Sequence, residues 1–332
     1  MGCVAGRRGG EVIMWKTVLR RVLIMIPEII ILSVFVFILA KMMPGDPFTG
    51  AITPQTSPAR IHELKVQAGL YDPWYVQYGR WITNLFHGDL GISYQFKTPV
   101  AGLIASRAGN TLWLSLVIVV LSYLFAIPLG IIAGRFENSK SDRLIQLYNY
   151  ISYAIPGFVF YLLGLWLFGY VLGWFPTSGS VSVGAGSGFG YVMSRIYHMV
   201  LPALLAALIS TTSTCQYLRS EIIDSKTQDY VKTARAKGVP EKTVFNRHIL
   251  RNSLLPIAAF AGYSITGLLG GSIFIETVFS YPGMGLLFIN SLTNRDYSVI
   301  TALVLLFGIL NLIGTLLSDI ILSIVDPRVR IE

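Results

Sequence analysis

The chain has 332 residues, of which 53% are hydrophobic and only 13% charged, with a net charge of +9. Soluble domains carry about 25% charged residues, so a soluble globular protein is excluded. The positive balance does not point to nucleic acid either, because no aromatic-interleaved basic domain stands outside the apolar stretches.

A helix crosses a bilayer with about 20 mostly apolar residues. Six stretches qualify: Val22–Met43, Thr111–Ala133, Ile145–Gly169, Met199–Leu218, Ser253–Phe279 and Ile300–Val325. They lack the alternating faces of membrane β-strands, so the expected class is an all-α integral membrane protein with six transmembrane helices. Residues 1–21 precede the first helix, and 1–13 read as a disordered appendage ahead of Met14. Helix one (22–43) is too long for a cleaved signal peptide, and Met-Pro-Gly-Asp-Pro follows it instead of a small-x-small site. Residues 44–109 form a loop insert, 110–325 a helical core and 326–332 a tail.

Lys and Arg accumulate in cytoplasmic loops. Eighteen lie on the side of the termini (in 1–21, 134–144, 219–252 and the tail) against seven on the other side. Both termini are therefore expected in the cytoplasm and the 44–109 insert outside the cell. Within that insert, Pro58–Leu70 reads as a short amphipathic helix. The aromatics Trp74, Tyr75, Tyr78, Trp81 and Phe86 that follow fit an interfacial belt or a docking surface.

The third span is interrupted by Pro156-Gly157, and Pro202 and Pro256 are expected near the starts of spans four and five. Gly130-x-x-x-Gly134 and Gly267-x-x-x-Gly271 offer small faces for close helix approach. The glycine-rich run in 173–198 lacks the strand and helix of a phosphate cradle and reads as a linker. Span four carries a polar run, with Ser210, Thr211, Ser213, Thr214 and Gln216 as candidates for lining a hydrated path; such hydroxyls also satisfy their own helix carbonyls. Glu28 lies two turns from Arg21 on one face, and Asp319 lies near the end of span six. A carboxylate chain suited to proton coupling is not apparent. Cys3 and Cys215 are placed too far apart in context for a disulfide or a metal pair. The chain has no Gly-x-x-x-x-Gly-Lys-[Ser/Thr], no His-Glu-x-x-His and no Gly-x-Ser-x-Gly, and its four histidines are scattered. No catalytic or metal residues are expected.

The densest basic segment is "DYVKTARAKGVPEKTVFNRHILRNSLLP" (229–256), with six Lys or Arg plus His248. Asp229–Lys237 has good helix formers closed by Gly238, a residue suited to the left-handed turn beyond a helix end. Pro240 suits the first position of a second helix, and Glu241 its first turn. That second helix places Val244, Phe245, His248 and Ile249 on one stripe, with Arg247 and Arg251 opposite. Contact with anionic lipid would account for the charge. The tight break between two helices favours a knob that docks into another protein.

This segment resembles the cytoplasmic coupling loop of ABC importer permeases, in the form used by the oligopeptide/dipeptide/nickel branch. Six other signatures of that branch follow the same order: "WKTVLRRVLIMIP" (15–27), "MPGDPF" (43–48), "GLYDPWYVQYGRWITNLFHGDLGIS" (69–93), "FIETVFSYPGMG" (274–285), "NRDYSVI" (294–300) and "DPRVR" (326–330). The set is similar to the B-type permease subunit. The acidic residue of the generic loop is replaced by Lys232, as is common in this branch.

The resemblance implies a type I ABC importer permease fold in the bacterial cytoplasmic membrane. Tyr230, Thr233, Ala234, Arg235, Ala236, Lys237, Gly238, Val239 and Pro240 would couple it to an ATPase. It further implies a second homologous permease subunit in a heterodimer, two cytoplasmic ATP-binding subunits, an extracellular substrate-binding protein or lipoprotein, and contact with membrane lipid. The chain itself would bind no cofactor and catalyse no reaction, ATP and Mg²⁺ being held by the ATPases. Oligopeptides or dipeptides are the expected substrate, with nickel or another small solute as the alternative. A stand-alone carrier or channel and a membrane-embedded enzyme are the readings of other classes.

Overall fold

The computed structural model describes residues 3–42, 71–258 and 273–325, with isolated positions 59, 62, 63, 66, 69 and 264. The secondary structure described is helical apart from one isolated bridge, Ile92 to Pro99. Helix α1 (Cys3–Met42) is followed by the short α2 (Trp74–Phe86) and the long α3 (Val100–Arg135). Next come α4 (Lys140–Ala154) and α5 (Gly157–Gly164), the latter widening into a π-helix over Leu165–Val171. Helix α6 (Phe189–Lys226) leads into α7 (Asp229–Ala236). Helix α8 opens at Glu241–Thr243, continues as a π-helix over Val244–Leu250 and closes at Arg251–Ser253. The last described elements are α9 (Ile273–Val278), α10 (Met284–Thr293) and α11 (Tyr297–Val325).

Four of these helices are long and apolar enough to cross a membrane, and the bent pair α4–α5 makes a fifth candidate, among the described residues. The expected spans are modified in four places. The expected appendage at 1–13 is helical from Cys3 onward, continuous with α1. Span two begins at Val100, eleven residues before the expected Thr111, so the insert already contains the start of α3. Span three is not one rod, because Pro156 has no N–H for a continuing helix and biases Ile155 to extended backbone; α4 and α5 meet there at 100°. Span four starts at Phe189, which places Pro202 well inside α6. The expected Pro58–Leu70 helix and the Gly267–Gly271 face lie largely or wholly outside the described residues, as does the middle of span five.

The frame of the molecule is the α3–α6 pair. Ala126, Gly130, Ala133 and Gly134 of α3 are buried, and a methyl added at Gly134 would lie 2.7 Å from Ile222 Cβ. Without Cβ atoms there, the two backbones approach closely, which is how membrane helices gain packing where lipid supplies no hydrophobic drive. The small face expected at Gly130-x-x-x-Gly134 is therefore used. Helix α1 packs along α11, where Arg21 Nε lies 3.0 Å from Asp319 Oδ2. Arg21 thus finds its ion-pair partner on another helix, not at Glu28. At the other end of α1, Tyr78 and Trp81 of α2 stack around Phe37, and Tyr78 Oη is 2.8 Å from Ser33 Oγ. Trp74, Tyr75 and Phe86 stay exposed, so the aromatic cluster divides between an anchoring face and an outward face.

Candidate functional site

At one end of the α3–α6 pair, α7 and α8 fold into the expected helix–turn–helix knob. Asp229 sits in the first turn of α7, where its charge suits the helix dipole. The helix ends in a two-bond C-cap: Gly238 N–H donates to the Arg235 carbonyl at 2.9 Å, and Val239 N–H to the Ala234 carbonyl at 3.2 Å. Gly238 carries φ +74°, the left-handed conformation this cap requires and L side chains resist. Val239 supplies the apolar contact that accompanies such caps by packing on the knob's core. Pro240 precedes α8 as its N-cap residue, one position earlier than expected. Arg235 grips Glu241 across the turn with two hydrogen bonds of 2.6 and 3.1 Å. That guanidinium lowers the Glu241 carboxyl pKa.

The knob is bound to the bundle by its apolar side. Val231, Ala234, Val244, Phe245 and Ile249 are buried with Leu218 and Ile222 of α6. The Arg135 guanidinium at the end of α3 lies 4.7 Å from the Phe245 ring centroid, a cation–π contact. Ser253, fully buried, places its hydroxyl 3.0 Å from Ser225 Oγ of α6. Knob, α3 and α6 are thus joined by packing.

Of the nine expected coupling residues, Ala234 points into this core and Val239 is half-buried. Tyr230, Thr233, Arg235, Ala236, Lys237, Gly238 and Pro240 are exposed together on the outer surface. In α8 the stripe Val244, Phe245, Ile249 is buried, His248 half-buried, and Arg247 and Arg251 exposed, as expected. The π-helical winding was not anticipated.

The five pathway candidates do not form one face. Thr211 is buried and donates to the Ala207 carbonyl at 2.7 Å. Ser210 and Ser213 are exposed, and Thr214 and Gln216 half-buried. Gln216 Nε2 donates to Gln146 Oε1 of α4 at 2.9 Å. That contact belongs to a ladder of polar pairs that sequence reasoning missed. Arg219 holds Asp142 with two bonds, 2.8 and 2.9 Å, and Asn149 Nδ2 lies 3.8 Å from the buried Cys215 Sγ. Asp142 is 2% exposed. It also accepts from Asn138 N–H at 2.8 Å, while Ser139 caps α4. The signal was present in Asp142, Gln146 and Asn149, spaced to share a helix face.

The end of the α3–α6 pair remote from the knob holds two more buried carboxylates, Glu276 and Asp296. Asp296 accepts from Ser93 Oγ and from the N–H groups of Tyr94 and Gln95, closing the 93–96 turn over the start of α11. Both lie inside signatures quoted above. The carboxylate in the apolar run before "YPGMG" was the cue to Glu276.

Two family profiles cover the chain. The one described as binding-protein-dependent transport system inner membrane component matches residues 126–331, and its N-terminal companion matches residues 14–116. The oligopeptide transport system permease protein AppB of Bacillus subtilis (strain 168) is 39% identical over 314 residues, 94% of this chain and 98% of the relative. The glutathione transport system permease protein GsiC of Escherichia coli O6:H1 is 36% identical over 317 residues, 96% of this chain and 99% of the relative.

Proposed function

The chain belongs to the binding-protein-dependent transport system inner membrane components, permease subunits that cross the bacterial inner membrane several times, and from that premise we propose that it forms half of a peptide-import pathway. Relatives named for oligopeptide and for glutathione, itself a peptide, support the substrate class. The chain crosses the membrane six times with both termini in the cytoplasm and the insert outside, a reading supported by the distribution of Lys and Arg. A second, homologous permease subunit completes the pathway as a heterodimer. An extracellular binding protein delivers the peptide, and two cytoplasmic subunits bind ATP and Mg²⁺ and hydrolyse the nucleotide. This chain is not an enzyme and holds no cofactor.

The observation that carries this reading is the knob, packed on α3 and α6 by its apolar side and presenting Tyr230, Thr233, Ala236, Lys237 and Pro240 outward. Seated in a groove of an ATPase, it converts closure of the ATPase pair into movement of α3 and α6. Access to the peptide site then alternates between the two faces of the membrane. Ser210, Ser213 and Thr214 are the candidates for lining the path. The test is to express the chain with its partner subunits, purify the complex in detergent and reconstitute it in vesicles. The expected result is stable retention of nucleotide-binding chains and ATP-dependent uptake of labelled peptide but not of nickel. A complex devoid of any nucleotide-binding chain overturns the reading.

A further inference from the structure

Glu276 lies in α9 and is 0% exposed. Thr111 Oγ1 of α3 donates to its Oε1 at 2.9 Å. The N–H groups of Gly285 and Leu286 donate to its Oε2 at 2.7 and 3.1 Å. The Thr111 hydroxyl accepts in turn from Met284 N–H at 2.8 Å. Three donors that the first turn of α10 would otherwise leave unpaired are thereby satisfied, two of them by a carboxylate on the favourable end of the helix dipole.

The two glycines of "YPGMG" make room for this arrangement. A methyl at Gly283 would lie 2.5 Å from both Thr111 Oγ1 and Glu276 Cδ, and one at Gly285 2.8 Å from Ile273 Cα. A second layer extends it: Asn110 Nδ2 donates to the Pro282 carbonyl at 2.9 Å, and Arg195 of α6 donates to Asn110 Oδ1 at 2.7 Å. Four helices, α3, α6, α9 and α10, are tied together around one charge. Thr111 is 24 residues before Arg135 on α3, so about 36 Å of helix at 1.5 Å per residue separates this knot from the knob. Helix α10 has 10 residues, about 15 Å, too short to cross a bilayer. It packs between α9 and α11, with its N-terminus held by Glu276 and Thr111.

We propose that Glu276 is a positioning residue for transport: its carboxylate clamps α10 against α3 and so keeps the extracellular end of the pathway shut. This rests on the import reading above. An importer that alternates its access needs that end closed whenever the cytoplasmic end is open. A buried anion saturated by the donors of one helix turn gives the closed state a discrete partner set, which the clamp holds or releases as a unit. Glu276→Gln fits the same space but removes the charge and turns an amide N–H₂ towards Thr111, which must then give up part of its own bonding. Thr111→Val removes the other partner with little change of shape.

The experiment uses the full complex in vesicles, with Cys3 and Cys215 replaced by serine and alanine and a Leu286→Cys reporter on α10. Two quantities are read: the rate at which a membrane-impermeant maleimide labels the reporter from outside, without ATP, and the peptide imported per ATP hydrolysed. Glu276→Gln and Thr111→Val are both expected to speed labelling about tenfold, the size of one charge-assisted hydrogen bond reduced to a neutral one, and to lower the peptide-to-ATP ratio. Thr111→Ser, which keeps the hydroxyl, is expected to restore both. A purely structural role predicts less complex but wild-type labelling and wild-type ratio in what survives, and that result overturns the proposal. Failure of the unmodified complex to import peptide in the same vesicles would instead overturn the import reading.

Discussion

Gly238 separates two requirements that the proposed coupling knob combines, a backbone shape and a surface for a partner. Its φ of +74° lies where an L side chain costs about 1–2 kcal/mol, and a Cβ placed there would meet nothing within 4 Å. Substitution is therefore penalised within the chain through the backbone and not by crowding. Asn tolerates the left-handed region better than a β-branched residue. Gly238→Asn is expected to keep most of the peptide uptake and Gly238→Val to lose most of it, while both still insert and purify. Uptake in vesicles and copurification of the ATPases check this. Equal loss in both variants would mean that the partner requires bare backbone at this point. Gly238 could be recognised from sequence because glycine and proline punctuate chains by their own stereochemistry. Ala234 could not be sorted from its exposed neighbours in the same way. Two turns of helix carry too few apolar residues to define an inward face until Val244, Phe245 and Ile249 fold over it.

Among the elements, the turn between α7 and α8 is closed by a side-chain pair that the sequence hid in plain charge. Arg235 reads as one more basic residue for a partner, yet it is engaged by Glu241 within the chain. Its reversal thus tests the turn and not the interface. Arg235→Glu alone is expected to weaken ATPase attachment several-fold. The exchange Arg235→Glu with Glu241→Arg is expected to recover it, because the pair is re-formed with opposite polarity. Lys237→Glu, on the exposed surface, has no such internal rescue. Pull-down of the ATPases with each variant separates the cases. The bend between α4 and α5 shows the same limit of legibility. Pro156-Gly157 announces an interruption, but the 100° angle follows from which neighbours each half meets. Helix α4 is held by polar side chains of α6, whereas Tyr161 and Leu165 beyond the bend join an apolar cluster with Leu201 and Leu205.

For the molecule as a whole, hydropathy carried most of the architecture, because span length and apolarity are imposed by the bilayer residue by residue. The polar contacts that join the spans were harder to read, since each is a coincidence of two distant positions. Asp142 and Arg219 are the strongest example. Breaking a buried ion pair by removing one partner costs roughly 3–5 kcal/mol, whereas replacing both with apolar groups of similar volume can be nearly neutral. Asp142→Leu and Arg219→Leu are therefore each expected to lower the thermal stability of the purified complex markedly, and the double variant less than either. Thermal unfolding followed by fluorescence or by aggregation would show a double variant as damaged as the two singles added together if the pair had no mutual role.

The α4–α6 ladder also constrains how the protein is made. Helix α4 carries Asp142, Gln146 and Asn149 on one face, and their partners on α6 lie up to 77 residues further along the chain. At 5–20 residues per second, a ribosome takes about 4–15 s to supply them. Until then Asp142 and Gln146 have only each other and the cap of α4 as partners, and lipid offers none. Helix α4 reaches its full set of partners only after α5 and α6 have been synthesised. The polar seat of α4 is thus completed by residues that translation delivers late.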